Sequence, residues 1–200
     1  MILLDHANSL PFPRGQTLCD QAGVATVAAI GGSAASAPST YMDQLVGRVF
    51  VTADANGRPL ALRVVRADAA LTPGSSVSVA GACVDFTAAK VGRNVAGLTG
   101  TAGKVAAIID DAYPSNKVTI AQYDLFYVVA EGDVKARAAT CAAADVAVVA
   151  AGSGYAVTAA TAASYGQFVI GVSNQATGGT TANHASIHVW PDLKKPVPAS

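Results

Sequence analysis

The chain has 200 residues, of which 52% are apolar and 13% charged, and its 13 Lys and Arg balance 13 Asp and Glu. Zero net charge removes the electrostatic footprint of a nucleic-acid binder and the usual solubility margin of a free monomer. Alanine is roughly a fifth of the chain, and small side chains bury little area each, so part of the stability is expected from assembly with other subunits.

Residues 1–45 read as an extended N-terminal arm. Pro11, Pro13, Gly15, Gly31, Gly32 and Pro38 punctuate it, and only Val24 to Ile30 reads as a short strand. Met1-Ile2-Leu3-Leu4-Asp5-His6 lacks the basic start and long apolar stretch of a signal peptide. The uncharged run from Gln21 to Met42 is broken by Gly31-Gly32-Ser33 and Pro38, which argues against a membrane span. Such an arm either drapes over a neighbouring subunit or is a loose leader.

Residues 46–191 read as a β domain. Val46-Gly47-Arg48-Val49-Phe50-Val51 and Leu60-Ala61-Leu62-Arg63-Val64-Val65 flank Asp54-Ala55-Asn56-Gly57, and Asn-Gly suits the positive φ angles of a tight hairpin turn. Further strands are predicted at Ser76 to Val79, Ala82 to Phe86, Asn94 to Leu98, Val105 to Ile109, Lys117 to Ala121, Leu125 to Ala130 and Val134 to Ala138, with Gly and Pro between them. The alanine-rich run from Ala136 to Ala151 suits a helix by propensity, but Val146, Val148 and Val149 favour strand. The expected fold is all-β, a sandwich or barrel of short antiparallel strands. Leu71 to Val77 and Val129 to Val134 open stretches of similar pattern, so residues 46–122 and 123–191 are either two similar modules or a chance likeness. Lys194-Lys195-Pro196-Val197-Pro198 reads as a solvated tail over 192–200.

From Val146 to Pro191 there is no Asp, Glu, Lys or Arg, so these strands are expected to be buried in the fold or pressed on a neighbour. Tyr165, Phe168 and Trp190 lie in that run and are the candidate interface anchors, since aromatics desolvate the most area per residue.

The motifs of chemistry are missing. Gly97-Leu98-Thr99-Gly100-Thr101-Ala102-Gly103-Lys104 has neither the first glycine nor the hydroxyl of a phosphate-binding loop, because Leu98 and Val105 occupy those positions. His184 and His188 sit in a strand-like alternation that separates their rings by about 13 Å, too far to share an ion. Cys19, Cys83 and Cys141 form no metal or redox pattern and read as small buried thiols. Glu131 is the chain's one glutamate, which excludes a paired-Glu glycosidase, and no Gly-x-Ser-x-Gly elbow occurs. The expectation is a structural protein, not an enzyme, with no cofactor and no metal.

The stretch Val118-Thr119-Ile120-Ala121-Gln122-Tyr123-Asp124-Leu125-Phe126-Tyr127-Val128-Val129-Ala130-Glu131-Gly132 is similar to a passage seen in tailed-bacteriophage head proteins. With the alanine-rich strands that follow, and Phe168-Val169-Ile170-Gly171-Val172 ahead of a terminal strand, residues 70–190 resemble small capsid decoration (cement) proteins. The resemblance implies a β-rich virion protein, made in the host cytoplasm, that binds the outer capsid surface and clamps neighbouring subunits. Its implied partners are the major capsid protein and further copies of itself, with neither nucleic acid nor membrane. The alternative is a phage fibre, tail or other receptor-binding structural module.

Overall fold

The computed structural model describes residues 10–18, 44–87, 90–98, 105–140, 145–152, 154–160, 168–174 and 184–190. Among them the chain is all-β, with no α-helix. The strands are β1 (Val49–Ala53), β2 (Pro59–Ala67), β3 (Cys83–Phe86), β4 (Asn94–Ala96), β5 (Ala106–Ile109), β6 (Leu125–Thr140), β7 (Ala147–Ala150), β8 (Val157–Ala159), β9 (Gly171–Ser173) and β10 (His184–Val189).

The predicted hairpin forms with Val51 opposite Ala61 and Ala53 opposite Pro59. Its turn is wider than Asn-Gly suggested. Gly57 N–H donates to the Asp54 carbonyl at 3.1 Å, and Asp54 N–H donates to the Arg58 carbonyl at 2.8 Å. Only Gly57 takes a positive φ, of 77°, so this is a three-residue loop whose last residue is left-handed, not a two-residue turn with two such residues. The cause is Asp54, whose Oδ1 accepts from the N–H groups of Asn56 at 2.8 Å and Arg58 at 2.7 Å. A carboxylate that caps its own turn favours the ordinary turn over the mirror-image one.

Two closed rings of strands follow. In the first, β2 pairs with β4, β4 with β3, β3 with β5, β5 with β6, and β6 returns to β2. In the second, β6 pairs with β8, β8 with β7, β7 with β9, β9 with β10, and β10 returns to β6. The two rings have the same connectivity. Putting β6, β7, β8, β9 and β10 in place of β2, β3, β4, β5 and β6 reproduces the order, including one parallel pair in each, β2–β4 and β6–β8. The sheet is therefore mixed, not wholly antiparallel as expected, because each ring closes its first strand against its third.

β6 belongs to both rings, and at 16 residues it is not a short strand. The break expected at Gly132-Asp133 does not occur. Glu131 pairs with Ala61 and Val129 with Leu62, so Ala130 is an extra residue in a bulge, and Gly132, at φ 116°, already pairs with Val189 of the second ring. Bulge and glycine together turn the strand from one barrel into the next without interrupting it.

The first barrel is filled by alternate residues, Val65, Ala67, Val84, Phe86, Val95, Ala107, Ile109, Phe126 and Val128. The predicted strands at Ser76–Val79 and Lys117–Ala121 are instead irregular segments that plug it. Leu71 and Ile120 exchange backbone hydrogen bonds at 2.9 and 3.1 Å, and Val79 N–H donates to the Lys117 carbonyl at 2.8 Å. The second barrel is filled from the same alternation, by Val134, Ala136, Ala138, Val148, Ala150, Val157, Ile170, Ala185, Ile187 and Val189. Ala136–Ala151 is strand at 136–140 and 147–150, with no helix among its described residues, and the short β8 was not foreseen. The described part of the charge-free run supplies most of this second core.

Of the arm, residues 10–18 pack on the first barrel. Phe12 stacks on Tyr127 with ring centroids 4.3 Å apart, Leu18 and Leu125 form an antiparallel bridge, and the Tyr113 hydroxyl donates to the Gln16 carbonyl at 2.7 Å. The strand expected at Val24–Ile30 and the tail at 192–200 lie outside the described residues. Cys83 is fully buried, and burial pushes its thiol far above its ordinary pKa; Cys19 and Cys141 lie outside the described residues.

Candidate functional site

One cluster of polar side chains lies where the β1–β2 hairpin leans on the middle of β6. Asp133, just past the Gly132 corner, is the hub. Its Oδ1 meets His188 Nδ1 at 2.8 Å and accepts from Asn174 Nδ2 at 3.1 Å, while its Oδ2 accepts from Arg58 Nη1. Asn174 Nδ2 also reaches Ser186 Oγ at 3.2 Å. One carboxylate thus ties the hairpin, β6, the residue after β9, and β10 together. Register explains the convergence, because His188 lies directly opposite Asp133 in the β6–β10 ladder.

A second ion pair sits beside the first. Arg14 donates from Nε to Asp110 Oδ2 at 2.9 Å and from Nη2 to Asp110 Oδ1 at 2.6 Å, a two-pronged contact, and also to the Ala53 carbonyl at 3.3 Å. Asp110 is fully buried, so this pair fastens the arm to the loop after β5. Asp111 accepts from the Lys135 N–H at 2.9 Å. Hydrogen bonding to Asp110 raises the Arg14 pKa against the opposing effect of burial.

Two clefts flank the Arg58–Asp133 pair. One, of about 380 Å³, has Val51, Ala61, Glu131 and His188 among its walls. The other, of about 650 Å³, is lined by Arg14, Asp54, Asn56, Asp111, Lys135 and Ser186 among others. A carboxylate only accepts, so His188 Nδ1 carries a proton towards Asp133. Nucleophilic chemistry would need a hydroxyl on the other ring nitrogen, Nε2, and among the described residues the His188 ring is bonded to Asp133 alone. What the arrangement can do, on its own residues, is clasp strands.

The clasp is pH-sensitive. Burial raises the Asp133 pKa, but hydrogen bonds from His188 and Asn174 and the Arg58 charge outweigh it, and the net shift is downward. A carboxylate whose folded pKa is lowered adds stability that is present above its ordinary value of about 3.9 and is lost as pH falls through the folded value. His184 works in the same direction at higher pH. Burial, with Arg137 and Lys135 nearby, lowers its pKa against the pull of Asp111, so stability falls as pH drops below about 6.5. Asp133→Asn is expected to cost about 1 kcal/mol at neutral pH, a modest figure because the clasp is half-exposed. It should also flatten the melting temperature against pH below about 4. An unchanged acid limb in that variant would show that the clasp does not set it.

The aromatic anchors read from the sequence are elsewhere. Phe168 and Trp190 are half-buried at one end of the second barrel, where Trp190 N–H donates to the Ile170 carbonyl at 3.1 Å. Tyr165 lies outside the described residues. Among the described residues the large apolar side chains that are exposed are Val49, Val51 and Val91, none of which was expected as an anchor. His184 and His188 do lie on a strand, opposite Arg137 and Asp133 respectively. Among the described residues, no group of three or more His, Cys, Asp or Glu side chains could hold a metal ion, and no helix is long and apolar enough to cross a membrane. No family model matches the chain, and no curated protein is similar to it.

Proposed function

We propose that this chain is a structural protein of a tailed-bacteriophage particle, one that binds the outer capsid surface and bridges neighbouring copies of the major capsid protein. The observation that carries the reading is the doubled barrel. Two rings of the same connectivity, fused through one strand, present two like-shaped surfaces at a fixed spacing. A capsid offers repeated sites at fixed spacing, and a rigid two-headed binder that engages two of them opposes their separation by effective concentration alone. The fusion suits that load, since β6 spans both barrels and is hydrogen-bonded along both sides.

With 13% charged residues, attachment rests on apolar burial and main-chain hydrogen bonds more than on ion pairs. Mass spectrometry of purified particles is expected to find the chain near-stoichiometric with the shell protein. Raising sodium chloride from about 0.1 to 1 M shortens the Debye length from about 10 to 3 Å and should leave it attached. Absence from particles, or a few copies per particle, would overturn the reading.

A further inference from the structure

We propose that two copies of this chain pair edge to edge through β1, antiparallel about a two-fold axis at Val51. Closed barrels have no free sheet edges, and β1 is the exception. Among the described residues it pairs with β2 alone. Natural edge strands are guarded by lysine, proline, or a bulge, yet Val-Phe-Val-Thr-Ala carries no charge and no proline. Val49 is 46% exposed and Val51 57% exposed.

The hydrogen bonds already made fix which groups are free. Asp54 N–H donates to the Arg58 carbonyl and Val64 N–H to the Arg48 carbonyl, so the rungs towards β2 fall on the even residues of β1. By the alternation of an antiparallel ladder, the N–H and C=O groups of Val49, Val51 and Ala53 point away from β2, on the open edge. The Ala53 carbonyl already receives Arg14 at 3.3 Å, and a carbonyl has a second lone pair.

Sequence and charge select both the occupant and the register. Outward-facing residues pair only with outward-facing residues, so the edge can join its own copy with Val51 opposite Val51 and Val49 opposite Ala53, making about six main-chain hydrogen bonds. That register also sets Arg48 opposite Asp54 of the partner subunit, and by symmetry twice over. Arg48 is exposed, and the Asp54 oxygen that does not cap its turn, Oδ2, has only Arg58 Nε at 3.5 Å. Sliding the pairing by two residues in either direction leaves Val49 or Ala53 unpaired and Arg48 opposite Thr52 or Asn56, without a carboxylate. A single occupant thus satisfies the backbone, covers the exposed valines and matches the charges. The pairing extends the role proposed above without depending on it, because the purified chain alone forms the dimer or does not.

Sedimentation equilibrium of the purified full chain is the test. The wild type should sediment as a dimer at micromolar concentration. Val51→Pro removes an outward N–H that the β1–β2 ladder does not use, a substitution edge strands tolerate, and it should weaken the dimer about tenfold or more, by loss of two central bonds. Arg48→Glu alters only an exposed side chain, keeps the fold, and should weaken the dimer about tenfold by setting like charges across both ends. A monomeric wild type overturns the proposal. So does a dimer unaffected by both variants, which would be held by another surface of the chain.

Discussion

Gly81→Ala is expected to destabilise the protein by about 4 kcal/mol, enough to lower its melting temperature by roughly 10 °C or to prevent recovery of folded material. Gly81 precedes β3 in the first barrel and lies flat against the second half of β6. Its φ is +66°, and a Cβ there would fall 2.0 Å from the Lys135 carbonyl oxygen and 3.3 Å from Ala136 Cα. Both obstacles are backbone, so no side chain can swing aside. Its own groups are also in use, with Gly81 N–H donating to the Ile109 carbonyl at 3.2 Å and its carbonyl accepting from Arg137 N–H at 2.8 Å. To admit a methyl group the two barrels must move apart along this seam, breaking the bond from Arg137. Gly57→Ala supplies the control, because Gly57 has φ +77° but nothing within 4 Å of its would-be Cβ. It incurs the left-handed backbone strain alone, about 1 kcal/mol. Denaturant titration of both variants separates the two effects. A Gly81→Ala variant as mild as Gly57→Ala would mean that the seam between barrels is soft.

The elements that sequence made legible are those whose partner is close in the chain. The hairpin at residues 46–66, β3, β5 and β10 announce themselves by alternation and β-branched residues, and the whole is all-β as composition implies. Legibility ended where a residue's role depends on a distant one. Ser76–Val79 has the look of a strand, yet no neighbour offers it a ladder. Val79 serves as a plug, and Ser78 spends its hydroxyl on the Pro114 carbonyl and the Ala80 N–H. Gly132-Asp133 carries a turn signature, but ring closure on both sides holds the chain extended through it. The clasp was invisible for the same reason. Arg58, Asp133, Asn174 and His188 are spread over the chain, and only the β6–β10 register brings them together. A faint signal did exist, since Ser186 and His188 alternate with Ala185, Ile187 and Val189 and so had to share one polar face. Alternation likewise identified two faces of β1 but not which one is outside. Nothing in the sequence therefore sets the exposed Val49 and Val51 apart from the buried valines.

The same dependence on distant partners makes the arm's first described segment matter to stability. Phe12→Ala is expected to cost about 3–5 kcal/mol, an effect more usual for a barrel residue than for one in a leader. Phe12 is 7% exposed and joins the main apolar cluster, its ring 17° from parallel with that of Tyr127. The two residues also close a ring of hydrogen bonds. Phe12 N–H donates to the Tyr127 hydroxyl at 3.3 Å, and that hydroxyl donates to the Phe12 carbonyl at 2.8 Å. Tyr127→Phe keeps the stack but leaves a buried N–H and carbonyl without these partners, for a loss of about 1–2 kcal/mol. Burial pushes the Tyr127 phenol up to about 12, a rise reinforced by the Asp110 charge and partly offset by the Phe12 N–H. A phenol whose folded pKa is raised adds stability that is present below its ordinary value of about 10 and is lost as pH rises towards the folded value. Phe12→Ala opens the ring to water, so phenolate absorbance in that variant should appear at lower pH than in the wild type. Deleting residues 1–18 should lower the melting temperature further than Phe12→Ala, because it removes the same stack together with the Arg14–Asp110 pair. If the truncated chain melts with the wild type, the arm only rests on the barrel, and residues 46–191 fold without it.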